Sequence, residues 1–231
     1  MNVVLQGAAL VLLGIILFFY VSQRRVQLNT EKAYMNIWIF CVLDASFDML
    51  LTILLMHMSE VPYWLVHVVL KLYLITIMWV PIMALVYVLA DIYELTADQK
   101  VRNRLFYIIG LGVSIIILSL PAVIYQDAAT GNYHAKGIAV VFTWLFNFLV
   151  YIYMAFITWK NRESIEGKRR EAIALWLAVW TVATVLQLMN PDLKVTSFAA
   201  ALGVTIIYIK MENPESNIDR NSGMFNSHAM L

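Results

Sequence analysis

The sequence predicts an all-α membrane protein, a bundle of seven transmembrane helices with its N-terminus outside and its C-terminus cytoplasmic. Three observations predict it. Hydrophobic residues make up 62% of the 231-residue chain and charged residues 13%, against about 45–50% and about 25% in soluble domains. Apolar runs near the length of a bilayer crossing recur along the chain. The basic residues fall on alternate connections between those runs. The lone Cys41 excludes a disulfide framework, and 16 basic against 15 acidic residues point to no nucleic-acid partner.

The first run, 3–21, has no basic stretch before it and Gln23-Arg24-Arg25 after it. It therefore reads as a retained helix and not a cleaved signal peptide. The second, 36–57, has Asp44 and Asp48 as its only Asp, Glu, Lys or Arg residues. The third, 63–90, is long enough to tilt, and Pro81 is a point at which it can kink. Runs 105–125, 138–159 and 172–189 each suffice for one crossing, and 195–209 is the shortest. Of the 16 Lys and Arg residues, all but Lys71, Lys136 and Lys194 follow the first, third, fifth or seventh run. That asymmetry places those connections in the cytoplasm. It also supports the short seventh run, without which Lys210 and Arg220 would be external.

Ionisable groups inside hydrocarbon cost about 2.5–3.5 kcal/mol each on insertion scales and mark candidate functional positions. Asp44 and Asp48 in the second run, and His67 and Lys71 in the third, are i,i+4 pairs that each share a helical face. Counted from the outer ends, Asp48 lies ~13 Å deep and Lys71 ~12 Å, so an Asp48–Lys71 pair is expected between these antiparallel neighbours. Asn147 falls at ~14 Å by the same count, and Gln187 lies nearer the outer end of the sixth run. With Trp64, Trp144 and Trp180 as aromatic walls, these residues outline a pocket open to the outside. Two readings stand: a site for a small extracytoplasmic ligand or a rearranging charge pair, and an ion pair that only fixes helix register. The 12 Met, 7 Trp and 12 Tyr read as packing filler and interfacial belts. No metal site is expected. Ala199 and Gly203 form a small-xxx-small step suited to close helix contact.

After Lys210 the composition turns polar. Asn213-Pro214-Glu215 has the chemistry of a helix start, Ser222-Gly223 reads as a turn, and Asn226 suits a helix cap. The stretch Asp219-Arg220-Asn221-Ser222-Gly223-Met224-Phe225-Asn226 resembles the opening motif of GGDEF domains, D-x-L-T-G-L-x-N-R. Asp219, Gly223 and Asn226 match it, Ser222 stands for Thr, Met224 for Leu, and Phe225 takes the common aromatic place. Asn221 and Ser227 depart from it. The resemblance divides the chain into a seven-helix sensory domain, 1–211, and a junction with the start of a GGDEF-like domain, 212–231.

GGDEF domains condense two GTP into cyclic di-GMP, using magnesium and two facing domains. Every catalytic and metal-binding residue of that family lies beyond the opening motif, so this chain has none of them and no cofactor of its own. The resemblance therefore implies the sensory input module of a bacterial diguanylate cyclase in the cytoplasmic membrane. Its implied partners are the lipid bilayer, a small-molecule stimulus and a second copy met through the output domain. A small-solute transporter built on the Asp/Lys site is the alternative. A retinal protein is disfavoured, because the seventh run lacks the lysine that a Schiff base requires.

Overall fold

The structure, a computed structural model, describes residues 3–22, 30–92, 97–128, 130–163 and 165–212. Seven α-helices account for most of these residues: α1 Val4–Ser22, α2 Glu31–Met56, α3 Tyr63–Ile92, α4 Ala97–Ser119, α5 Ile138–Lys160, α6 Gly167–Met189 and α7 Thr196–Ile207. A hairpin of β1 Val123–Gln126 and β2 Tyr133–Lys136 joins α4 to α5, and a π-helical turn, Tyr208–Glu212, continues α7. Five helices, α1, α2, α3, α5 and α6, are long and apolar enough to cross a membrane. The apolar part of α4, Asn103–Ser119, and the stretch Thr196–Met211 are shorter. The tail motif residues Asp219, Ser222, Gly223, Phe225 and Asn226 lie outside the described residues, as do Arg24 and Arg25.

Helix α3 is the axis of the bundle. It packs on α2, α4 and α5, while α7 packs on α1, α2 and α6. From Tyr73 to Ala90 every side chain but that of Ile75 is buried, which suits a stretch with no charged residue. The outer helices are apolar outward as well: Val11, Ile15 and Phe18 on α1, Leu145 and Leu149 on α5, and Val182 and Val185 on α6 are exposed. A helix facing water would carry a polar stripe there. These faces fit hydrocarbon.

Pro81 does not break α3. Proline has no amide hydrogen, so the carbonyl four residues earlier, that of Ile77, loses its helical donor. Asn147 of α5 supplies one, its Nδ2 donating to Ile77 O at 3.3 Å. A neighbouring helix thus restores the bond that proline removes, as hydrocarbon requires. Asn147→Ala is expected to cost about 1–2 kcal/mol, and Pro81→Ala to recover most of that loss by returning the donor at 81. Thermal unfolding of the two single variants and the double variant checks this, and simple additivity would refute it.

The fourth run departs from its expected extent. Helix α4 stops at Ser119, and residues 123–125, expected within it, form β1 instead. Pro121 is the reason, because a proline disfavours helix at the preceding residue. The strands pair antiparallel from Val123 with Lys136 to Gln126 with Tyr133. Gly137 closes the hairpin at φ 128°, where an added Cβ would sit 2.8 Å from Pro121 O, so this corner requires glycine.

The small-residue step on α7 is used within one chain. Gly203 lies against the fully buried Trp176 of α6, and Ala199 is buried one turn earlier. Gly110 of α4 plays the same part against Trp79 of α3, whose Nε1 donates to Ser114 Oγ at 3.0 Å.

Candidate functional site

The polar centre of the bundle is built around Asp48, which is fully buried. Its Oδ2 accepts from Ser197 Oγ of α7 at 2.7 Å and from Gln6 Nε2 of α1 at 3.0 Å. Lys194, in the connection between α6 and α7, brings Nζ to 3.9 Å from Asp48 Oδ1 and donates to Thr52 Oγ1 at 3.0 Å. Thr52 in turn donates to the Asp48 carbonyl at 2.7 Å. One carboxylate therefore ties together α1, α2, α7 and the connection leading into α7. Burial holds the Lys194 ammonium below the usual lysine range, while Asp48 and Asp192 pull it back up.

Above this node lies a cavity of about 290 Å³. Leu51 and Leu55 of α2, Tyr73 and Ile77 of α3, and Thr143 and Trp144 of α5 wall it. Tyr125 and His134 of the hairpin, with Gln187, Pro191 and Lys194, close its end. The hairpin is fastened to the α6–α7 connection: Asn132 Nδ2 donates to Asp192 Oδ1 at 2.9 Å, and His134 Nε2 stands 3.7 Å from the same oxygen. The arrangement suits a small, largely apolar ligand with one polar group able to meet the Lys194 ammonium.

The expected Asp48–Lys71 pair does not form. Lys71 Nζ donates instead to Ile117 O at 2.8 Å and to Leu120 O, carbonyls at the C-terminal end of α4. A helix leaves its last carbonyls unpaired and carries partial negative charge there, so Lys71 caps α4. A count of depth does not say which neighbour a side chain meets: α3 packs on α2, α4 and α5, and Lys71 faces α4. His67 makes a related contact, its Nε2 lying 2.9 Å from Ala122 O, and so anchors the chain entering β1.

Gln187 also serves a helix end. Its Oε1 accepts from the backbone N of Val195 at 3.1 Å and of Thr196 at 3.3 Å, and from Thr196 Oγ1 at 3.1 Å. These are orphan donors at the start of α7. Of the aromatic walls expected, only Trp144 lines the cavity. Trp64 is 66% exposed, and Trp180 packs on Tyr151 with ring centroids 4.0 Å apart. Asp44, one turn from Asp48, is fully buried, and neither of its oxygens has a hydrogen-bond partner among the described residues.

Lys194, Gln6, Ser197 and Thr52 were missing from the sequence-derived set. Lys194 sits among connection residues, where a lysine looks like a solvated charge, and the other three are uncharged. A signal for Lys194 did exist: it is one of only two basic residues in the connections on the sparsely charged side. No protein-family model and no curated protein matches the chain.

Proposed function

We propose that this chain is the membrane-embedded sensory input module of a cyclic-di-GMP signalling protein. In this reading all seven helices cross the bacterial cytoplasmic membrane, with the hairpin and its cavity outside and the tail inside. The observation that carries the output half is the Asp219–Asn226 stretch with its likeness to the GGDEF opening motif. The cavity against Lys194 supports the input half, because its polar end is bonded to the residues that hold α7.

The mechanism follows from that bonding. A ligand whose acidic or acceptor group takes the Lys194 ammonium weakens its attraction to Asp48. The connection into α7 is then free to move, and with it Ser197, through which α7 itself is bonded to Asp48. At the other end of α7, Lys210 Nζ lies 2.7 Å from Glu171 Oε2 of α6, so displacement of α7 is felt at the π-helical turn before the tail. Eight residues separate Lys210 from Asp219, which leaves little slack in the coupling. The implied magnesium and GTP belong to the output domain, beyond the residues of this chain.

The test uses the full-length protein in sealed membrane vesicles. Inverted vesicles are expected to convert added GTP to cyclic di-GMP, and right-side-out vesicles are not. Lys194→Gln is expected to change that rate at least threefold in either direction. A rate unmoved by both Lys194→Gln and Asp48→Asn, or no cyclic di-GMP in either orientation, would overturn the reading.

A further inference from the structure

Four buried oxygens around the node have no hydrogen-bond donor among the described residues: both carboxylate oxygens of Asp44, Oδ1 of Asp48 and Oε1 of Gln6. Their side chains meet at Asp48. Gln6 Nε2 is bonded to Asp48, which fixes its own Oε1 beside the carboxylates, and Gln6 is 1% exposed. Asp44 and Asp48 are one turn apart on α2. Ser197, bonded to Asp48, also neighbours Asp44, but its single proton serves one carboxylate at a time. Tyr151 of α5 lies within electrostatic reach of Asp44, and its hydroxyl has no hydrogen-bond partner among the described residues. One further proton does not satisfy four acceptors. A surplus of hard oxygen ligands on α1 and α2, with the Ser197 hydroxyl of α7 bonded to the same carboxylate, is the chemistry of a metal cation.

Charge balance sets its valence. Two buried carboxylates face one ammonium, that of Lys194, because Lys71 is committed to the end of α4. The remaining single negative charge in a dry interior is costly unless neutralised. A monovalent cation neutralises it, and a divalent one leaves an excess positive charge. We infer that the Asp44–Asp48–Gln6–Ser197 cluster binds a small monovalent metal cation of the sodium type. The inference depends on the bundle alone and not on the output domain. Since the cation shares Asp48 with Lys194, its occupancy bears on the same contact that restrains α7.

The test uses the full-length protein in nanodiscs, with sodium ion itself as the probe. Saturable binding of radioactive sodium is expected, displaced by unlabelled sodium and not by choline or calcium. Replacing choline chloride by sodium chloride at constant ionic strength is expected to raise the unfolding midpoint by roughly 2–6 °C. Asp44→Asn removes the unbalanced charge, so this variant is expected to lose sodium binding while unfolding no lower than the parent in choline. Gln6→Leu is expected to weaken sodium binding at least fivefold. The inference is overturned if wild-type protein shows no saturable sodium binding, or if calcium displaces sodium more strongly than sodium does. It is also overturned if Asp44→Asn keeps the sodium response, or if acidification reproduces the stabilisation with the cation absent. The last outcome would assign the site to a proton.

Discussion

Asp48→Ala is expected to destabilise the protein by about 3–5 kcal/mol, the range for removing one partner of a buried ion pair. The loss has identifiable parts. Ser197 Oγ and Gln6 Nε2 are left as buried donors without acceptors, each costing about 1–3 kcal/mol unless it repacks. The Lys194 ammonium loses its counter-charge, but its side chain is 13% exposed and can turn toward the hairpin end, which moderates that part. Asp48→Asn keeps an acceptor oxygen for Ser197 and Gln6 and loses only the charge. The expected order of unfolding midpoints is therefore parent, then Asp48→Asn, then Asp48→Ala. Thermal or denaturant unfolding in choline buffer checks it without contribution from sodium. Equal midpoints for all three proteins would mean that Asp48 does not hold the helices together. In the signalling assay both variants are also expected to respond less to any stimulus: Asp48→Asn because Lys194 loses its counter-charge, and Asp48→Ala because α7 also loses its bond to α2 and α1 through this side chain.

Sequence revealed the helices well because each is encoded by a contiguous apolar run, a property of neighbours along the chain. Run 138–159 and helix α5 coincide to within one residue. Where α4 ends short of its run, the cause, Pro121, is local and present in the text of the sequence. The interior contacts were less legible for a geometric reason. Counting residues from a helix end gives depth, but a contact also needs azimuth, which depends on how every neighbouring helix is placed. Asp48 and Lys71 count to a similar depth and face different partners. Lys194 sits in a connection, yet its stem is long enough to reach Thr52 and Asp48 near the C-terminal end of α2. Asn147 and Gln187 carried a different ambiguity. A polar residue in hydrocarbon signals either ligand chemistry or a backbone group in need of a partner. Here Asn147 answers the carbonyl released by Pro81, and Gln187 answers the open start of α7.

Gly203→Ala is expected to cost about 1–3 kcal/mol, and Gly203→Val more. The direction is not what helix propensity predicts, since alanine is favoured over glycine by about 1 kcal/mol in a helix interior. Packing decides the sign. A methyl group at 203 would lie 2.7 Å from Trp176 Cε2, and Trp176 is fully buried, so the indole has no free space into which to swing. Either α7 moves off α6 or the indole leaves its rotamer. Gly7 and Gly14 of α1 supply the control, because nothing lies within 4 Å of a Cβ added at either. Gly7→Ala and Gly14→Ala are expected to be neutral or slightly stabilising. Trp176→Phe removes volume from the contact and is expected to recover part of the Gly203→Ala loss in the double variant, a coupling that a thermal-unfolding cycle measures. Full additivity would place the damage elsewhere than at this contact. Because α7 bears both Ser197 and Gly203, the same overpacking pushes on the helix held by Asp48. Gly203→Ala is therefore expected to shift basal cyclic-di-GMP output in the vesicle assay, whereas Gly14→Ala leaves it unchanged.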